Sequence, residues 1–294
     1  MQERLARTAE RVEAELDCLL TVPQDARATL VEAMRYAVLG GGKRLRPFLL
    51  LESAGLFEVP EDRSLRAAAA LEMVHGYSLV HDDLPAMDDS ELRRGHLTVH
   101  RAFDEATAIL AGDSLLTEAF GLLGGAATHP DATIRLKLVQ DLSTAAGMNG
   151  MAGGQALDLA AEKARQPLDL DEIIALQARK TGALIIYACT AGADLGQADQ
   201  NARTALAQYG EKLGLAFQIA DDLLDYTGNQ AETGKPVGRD AGRGKATFVD
   251  LLGADGAQEK AAELLEQAWE SLDLFGAKAD FLRAVTVFVL ERKA

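Results

Sequence analysis

Residues 213–225 read Leu213-Gly214-Leu215-Ala216-Phe217-Gln218-Ile219-Ala220-Asp221-Asp222-Leu223-Leu224-Asp225, an apolar run closed by three carboxylates. From Leu213 to Ala220 the apolar side chains reach nearly every face of a 3.6-residue period. A helix of that kind belongs inside a large bundle. Leu184 to Cys189 has the same character. Elsewhere apolar residues recur at spacings of three and four, as in Leu5, Val12, Leu16, Leu19 and Leu20, and again from Leu65 to Val80. Ala and Leu are abundant and only seven prolines occur, so helix is favoured throughout. No run alternates polar and β-branched residues between turn signals, and a sheet is not expected. Breakers at Val22–Pro23, Gly40–Gly42, Val59–Pro60, His129–Pro130, Gln166–Pro167, Gly192–Gln197 and Gly253–Gly256 divide the chain. Roughly ten to twelve helices on short connections result, and residues 1–294 read as a single all-α domain.

The chain has 294 residues, with 45 Asp and Glu against 30 Lys and Arg and a formal charge of −15. That balance argues against a nucleic-acid partner, which needs a basic stripe. Cys18 and Cys189 have no paired spacing, so both read as small core hydrophobes rather than as a disulfide or metal site. Met1 to Leu16 is charged every few residues and lacks the apolar run of a signal peptide. The longest uncharged stretch, Leu142 to Leu157, is only 16 residues long. A membrane span needs ~18, so none is expected and a cytoplasmic location is the default.

A second acidic group lies upstream. The apolar helix ending His75-Gly76-Tyr77-Ser78-Leu79-Val80-His81 runs into Asp82-Asp83-Leu84-Pro85-Ala86-Met87-Asp88-Asp89. Carboxylates gathered after an apolar helix resist joint ionisation unless a cation joins them. A hard divalent ion with oxygen ligands resolves this, and Mg²⁺ suits a shell shared with phosphate. In the downstream group Asp221 and Asp225 are one helical turn apart on one face, while Asp222 is turned ~100° away. Upstream, Pro85 should end or distort the helix near Asp83, so that a loop brings Asp88 back. An unbroken helix would instead nominate Asp89, seven residues after Asp82.

The scarce cations collect beside glycine turns. Gly41-Gly42-Lys43-Arg44-Leu45-Arg46-Pro47 holds three; Arg93-Arg94-Gly95 follows the first acidic group; Lys180-Thr181-Gly182 precedes an apolar helix. Lys235 and Lys245 follow the second acidic group in a glycine-rich stretch. Arginine suits bidentate contact with phosphate and lysine acts as a point charge, so acids and cations together suggest a diphosphate. In Gly150-Met151-Ala152-Gly153-Gly154-Gln155-Ala156-Leu157-Asp158, glycines inside a helical region mark close approach, and Gln155 and Asp158 share a face.

These motifs, in this order, resemble the trans-isoprenyl diphosphate synthase family over about residues 25–293. The resemblance implies an all-α isoprenoid synthase-type helical bundle around a central active-site cavity, usually a homodimer. It implies electrophilic prenyl transfer between isopentenyl diphosphate and an allylic diphosphate, with a fifteen-carbon (farnesyl) product and a twenty-carbon product as the alternative. Asp82 and Asp88, helped by Asp158, would bind two Mg²⁺ ions and Asp221 a third, with Asp222 and Asp225 acting through metal-bound water. The resemblance therefore favours Asp88 where the unbroken helix favours Asp89. Arg93, Lys180 and Lys235 would hold the allylic diphosphate, and Lys43, Arg46, His75 and Arg94 the isopentenyl one. Thr181 and Gln218 would face the allylic cation. Lys245 lies in a loop of variable length, and the basic tail Glu291-Arg292-Lys293-Ala294 matches one that closes the homoallylic site in relatives. Chain length falls on Tyr77, ~7.5 Å down the helix from Asp82, and on its neighbour Ser78.

A terpene cyclase usually carries a different second metal motif from Asp221-Asp222-x-x-Asp225, and a non-catalytic subunit of a heteromer could lose acids that are intact here. Seven of the 45 acids lie in the two groups. The acidity excludes nucleic acid but not phosphate, because the acids can collect metal and the metal can collect the anion.

Overall fold

The computed structural model describes residues 1–164, 166–227 and 247–290. These form thirteen α-helices, one π-helical turn, one 3₁₀ stretch and a two-residue hairpin, arranged in two compact units. One unit comprises residues 2–51 and 59–139; the other comprises 52–58 and the chain from 140 onward, with Met1.

The first unit contains α1 (Gln2–Leu19), α2 (Ala28–Leu39), most of α3 (Leu45–Gly55), α4 (Glu61–Asp82), α5 (Val99–Ala102), α6 (Glu105–Gly124) and the start of α7 (Ala132–Ala146). Helix α4 is its axis. Ala67, Ala68, Ala69 and Ala70 are all fully buried, and four consecutive residues cover every face of a helix. Their small side chains let neighbours approach from all sides, α6 most extensively. Helix α1 turns Leu5, Val12 and Leu16 inward as its spacing predicts. Cys18, expected in the core, is instead exposed, because it lies between Leu16 and Leu20 on the outward face. By length and composition α6 could cross a membrane. It nevertheless carries Asp113 and Glu118 and packs along α4, as the core helix of a bundle does.

Strands β1 (Leu92–Arg93) and β2 (His96–Leu97) pair antiparallel, Leu92 opposite Leu97 and Arg93 opposite His96. Arg94 and Gly95 have φ of 53° and 79°, so both central turn positions are left-handed, the geometry of a type I′ hairpin. No strand was expected, and two residues are too few to show alternation. The Tyr36 hydroxyl of α2 donates to the Leu97 carbonyl at 2.8 Å and holds the hairpin in place.

The second unit contains α8 (Met151–Glu162), α9 (Leu170–Gln177), the π-helical turn Ala178–Gly182, α10 (Ala183–Leu195), α11 (Gln200–Thr227), α12 (Phe248–Glu270), the 3₁₀ stretch Asp273–Ala279 and α13 (Asp280–Leu290). The two segments read as buried prove so: Leu184, Ile185, Tyr187, Ala188 and Cys189 of α10, and Leu213, Ala216 and Ile219 of α11. Helix α11 packs along both α10 and α12. The fully buried Tyr209 donates its hydroxyl to the Leu282 carbonyl at 2.7 Å. Gly253 kinks α12 at φ 70° instead of ending it. The single-turn helix α5 takes the helix count above the ten to twelve expected.

Candidate active site

In the first unit α4 ends at Asp82, as Pro85 requires, and Asp83 forms its C-terminal cap. The loop then turns back. Asp88 donates its N–H to the Asp82 carbonyl at 2.9 Å, and Ser90 donates to the Asp83 carbonyl at 3.1 Å. Asp88 thus lies beside the helix end by backbone bonding. Asp89, which an unbroken helix would nominate, has φ 47° and faces Arg101 at 3.8 Å. Asp83 is buried and accepts two parallel bonds from Arg93 Nε and Nη2, each 2.7 Å. That bidentate pair was not read from the sequence, although Asp83, ~100° from Asp82 on the helix, could have suggested a different partner. Burial works against the Arg93 charge, but the pair with Asp83 and the fields of Asp82 and Asp88 outweigh it, raising its pKa. A cation is thus built into the acidic end of the helix.

A positive region adjoins it. The turn before α3 runs through Gly41 and Gly42 at φ 79° and 131°, and Arg94 donates Nη1 to the Gly41 carbonyl. A side chain at residue 42 would put its Cβ 2.5 Å from that same nitrogen and push the guanidinium aside, and φ 131° itself favours glycine there. Lys43 is exposed and Arg46 partly buried. His75 of α4 has its pKa held well below the ordinary value, by burial first and then by Arg46, Arg94, Arg93 and Arg44. A neutral imidazole among four arginines describes a pocket that favours an anion.

That shift has a testable sign. Below pH ~6.5 the unfolded chain takes up a proton at His75 that the folded chain refuses. Stability from this source is complete above that pH and declines as pH falls, by at most about 1.4 kcal/mol per unit. Thermal melts of His75→Gln should show a shallower acid-side decline than those of the parent chain; equal slopes would remove His75 from the account.

Farther up α4, Ser78 lies on the face of Asp82, and its hydroxyl donates to the His75 carbonyl at 2.8 Å. Tyr77, turned ~100° from Ser78, meets the His81 ring edge-on at 5.6 Å between centroids. His81 points away from acid–base work: Nε2 lies 3.1 Å from the Ile109 carbonyl of α6, an acceptor, so this nitrogen carries the proton. On another face of α4 a cavity of about 430 Å³ is lined by Leu79, Val80, Tyr36, Phe103, Arg93 and Arg94.

The second unit brings together the other predicted side chains. Lys180 and Thr181 sit on the π-helical turn, a wider turn that redirects side chains inside a continuous helix. Lys180 Nζ bonds the buried Asp158 at 2.6 Å. Gly154 of α8 permits this approach, since a Cβ there would fall 2.3 Å from Lys180 N and 2.5 Å from its Cα. Thr181 Oγ1 lies 3.2 Å from Gln218 Oε1, and Gln218 Nε2 donates to Asp222 Oδ1 at 3.0 Å. The carboxylate only accepts, so the amide nitrogen must face it, and the amide oxygen is thereby turned toward Thr181. The other Asp222 oxygen accepts from Phe248 N at 3.0 Å. Asp222, expected on the metal side, therefore has both oxygens engaged by protein donors, the consequence of its rotation from Asp221 and Asp225. Those two remain one turn apart on the continuous α11. Lys235, Lys245 and the tail 291–294 lie outside the described residues.

Each unit by itself offers donors that suit Mg²⁺. The first has the hard carboxylate oxygens of Asp82 and Asp88; the second has those of Asp221 and Asp225, and Gln155 Oε1 on α8, a buried oxygen without a hydrogen-bond donor. Among the described residues no three of His, Cys, Asp and Glu form a cage on their own. Mg²⁺ needs none, because it keeps waters and completes its octahedron with one or two carboxylates and phosphate oxygens.

One apolar helix closes on carboxylates with Arg93 paired into them, and another closes on Asp221, Asp222 and Asp225, an arrangement suited to gathering a metal ion and, through it, an anion. A polyprenyl synthetase family model matches residues 27–278, and the chain belongs to that family. It is 42% identical over 296 residues to the farnesyl diphosphate synthase of Haemophilus influenzae, across 99% of this chain and 98% of the relative. Against the farnesyl diphosphate synthase of Escherichia coli K12 the identity is 45% over 269 residues, 90% of this chain and 89% of that one. A solved FPP/GFPP synthase from Zymomonas mobilis superposes with a TM-score of 0.90 at 45% identity, covering 97% of each chain. The all-helical isoprenoid-synthase fold expected from the motifs is the fold of this chain.

Proposed function

We propose that this chain is a Mg²⁺-dependent trans-prenyltransferase. It condenses isopentenyl diphosphate with dimethylallyl or geranyl diphosphate, giving farnesyl diphosphate and releasing diphosphate. The observation that carries the reading is the acidic end of α4, where Asp82 and Asp88 are brought together with Arg93 fixed among them. The family and the names of the relatives support it.

Asp82 and Asp88, with Asp158, are assigned to two Mg²⁺ ions, and Asp221 to a third, with Asp222 and Asp225 acting through metal-bound water. Asp222 also orients Gln218. When bound, Mg²⁺ supplies Lewis-acid neutralisation of the leaving diphosphate. Arg93, Lys180 and Lys235 hold that diphosphate; Arg93 has Nη1 outside its pair with Asp83 for the purpose. Lys43, Arg46, His75 and Arg94 hold isopentenyl diphosphate, with Lys245 a further candidate. Breaking the allylic C–O bond leaves a carbocation, toward which the oxygens of Thr181 and Gln218 present their lone pairs. The isopentenyl double bond supplies the electrons for the new C–C bond, and the proton then lost passes to the departing diphosphate. Apolar walls keep water from the cation. The reading carries with it one catalytic domain over the whole chain and a homodimer in the cytoplasm, as the motifs imply.

Purified protein with Mg²⁺, isopentenyl diphosphate and each allylic primer should give a fifteen-carbon product. Release of no diphosphate with any primer would sink the proposal, and a twenty-carbon product would move it to the longer-chain class. Tyr77→Ala should shift products toward twenty carbons or more by removing a ring beyond the reacting end. Unchanged products would leave Tyr77 as ordinary packing.

A further inference from the structure

Between Lys43 and Arg46, both assigned above to the homoallylic diphosphate, lies Arg44, whose side chain turns the other way. It is buried, with 1% of the side chain exposed, and its backbone has φ 46°, a left-handed conformation unusual for a residue with a Cβ. Nη1 donates to Glu72 Oε1 of α4 at 2.6 Å, and Nη2 to Glu13 Oε1 of α1 at 2.9 Å. Nη2 also meets the Val38 carbonyl in the last turn of α2, where carbonyls lack helical partners. The Arg44 carbonyl accepts from Phe48 N at 2.9 Å and so begins α3. One guanidinium thus ties three helices to the turn, and the Glu72 that receives it lies one helical turn before His75.

We propose that Arg44, through Glu72 and Glu13, is the positioning residue that sets the two flanking cations for the homoallylic diphosphate. This inference rests on the reading that Lys43 and Arg46 bind that anion. A buried ion pair contributes little net stability compared with apolar residues of the same volume, and its best-attested use is to fix register. Here the register is that of the turn. With Arg44 anchored inward at a left-handed φ, Lys43 stays exposed before it and Arg46 is delivered in the first turn of α3.

The test uses the full-length enzyme. Arg44→Met alone leaves Glu72 buried without its partner and can fail to fold. The double variant Arg44→Met with Glu72→Met removes both charges, and the thermal midpoint reports whether the bundle survives. Lys43→Ala is measured alongside, and Arg44→Lys tests whether a point charge replaces the fork. For the double variant, KM for isopentenyl diphosphate should rise roughly tenfold or more, since displacing a positioning group by about 1 Å costs up to 10²-fold. Its KM for the allylic substrate and its kcat should stay within about threefold, with partial recovery of KM in Arg44→Lys. Parent-like KM in the double variant, while Lys43→Ala raises KM, overturns the inference alone. A parent-like KM in Lys43→Ala overturns the assignment of the anion site and the inference with it. Uniform loss in kcat and both KM values, with a lowered midpoint, also overturns the inference, because it marks a merely structural pair.

Discussion

Asp82→Ala is expected to lower turnover roughly 10³-fold while leaving the thermal midpoint within about 2 °C of the parent. The two halves of that result have different causes. Asp82 is the last residue of α4, where the helix dipole disfavours a negative charge by about 0.3–1 kcal/mol. Asp83 and Asp88 add like charge beside it, and the pull toward Arg93 opposes them. Removing the carboxylate therefore relieves about as much as it loses in the metal-free protein. During ionisation of the allylic C–O bond the same carboxylate holds the charge that stabilises the leaving group, and an electrostatic contact of that kind is worth two to three orders of magnitude. Steady-state kinetics with Mg²⁺ and a melting curve on one preparation check both halves. A midpoint falling in step with activity would make Asp82 a structural residue. Asp83→Ala is the instructive contrast, since it leaves the buried Arg93 pair broken.

Gly154→Ala is expected to be strongly destabilising, although it adds only one methyl group. Its Cβ would stand 2.3 Å from Lys180 N and 2.5 Å from Lys180 Cα, both backbone atoms that cannot swing aside. Helix α8 and the π-helical turn would have to separate, at a cost of about 3 kcal/mol. For a chain of this size that lowers the midpoint by roughly 6–12 °C. Separation also draws Lys180 from Asp158, so turnover should fall more than the fraction unfolded explains. Gly121→Ala in α6 is the control, because a Cβ at that position would have nothing within 4 Å. It should be neutral or slightly stabilising, as alanine favours helix over glycine by about 1 kcal/mol. Equal midpoints for the two variants would refute the close approach.

The fold was legible wherever burial leaves a periodic mark. The apolar runs of α10 and α11 and the inward stripe of α1 follow directly from residue spacing, and the end of α4 at Asp82 follows from Pro85. Residue type pointed to where the chemistry is proposed, through the paired acids and the glycine-flanked cations, while Gln218 came only from the family resemblance. Partner choice was less accessible. Nothing in the local sequence says that Asp83 turns to Arg93 ten residues on, or that Asp222 caps onto Phe248 across 26 residues, because long-range pairs leave no period. The hairpin escaped for a different reason: its strands are shorter than one alternation, and its turn offers arginine where asparagine would have announced it. Cys18 was misjudged from residue type alone, when its position on the stripe of α1 already faced it outward.

The π-helical turn has a consequence for how this part of the chain tolerates change. From Leu170 to Leu195 the backbone is one uninterrupted rod, and the turn at 178–182 stores a surplus of backbone within it. That surplus works as a slack coupling. Helices α9 and α10 each keep their own phase against their neighbours, while Lys180 and Thr181 take directions that neither phase would give. New side chains can therefore be tried at these two positions without rotating Leu184, Tyr187 or Cys189 out of the interior, whereas shortening the turn by one residue would rephase every side chain beyond it.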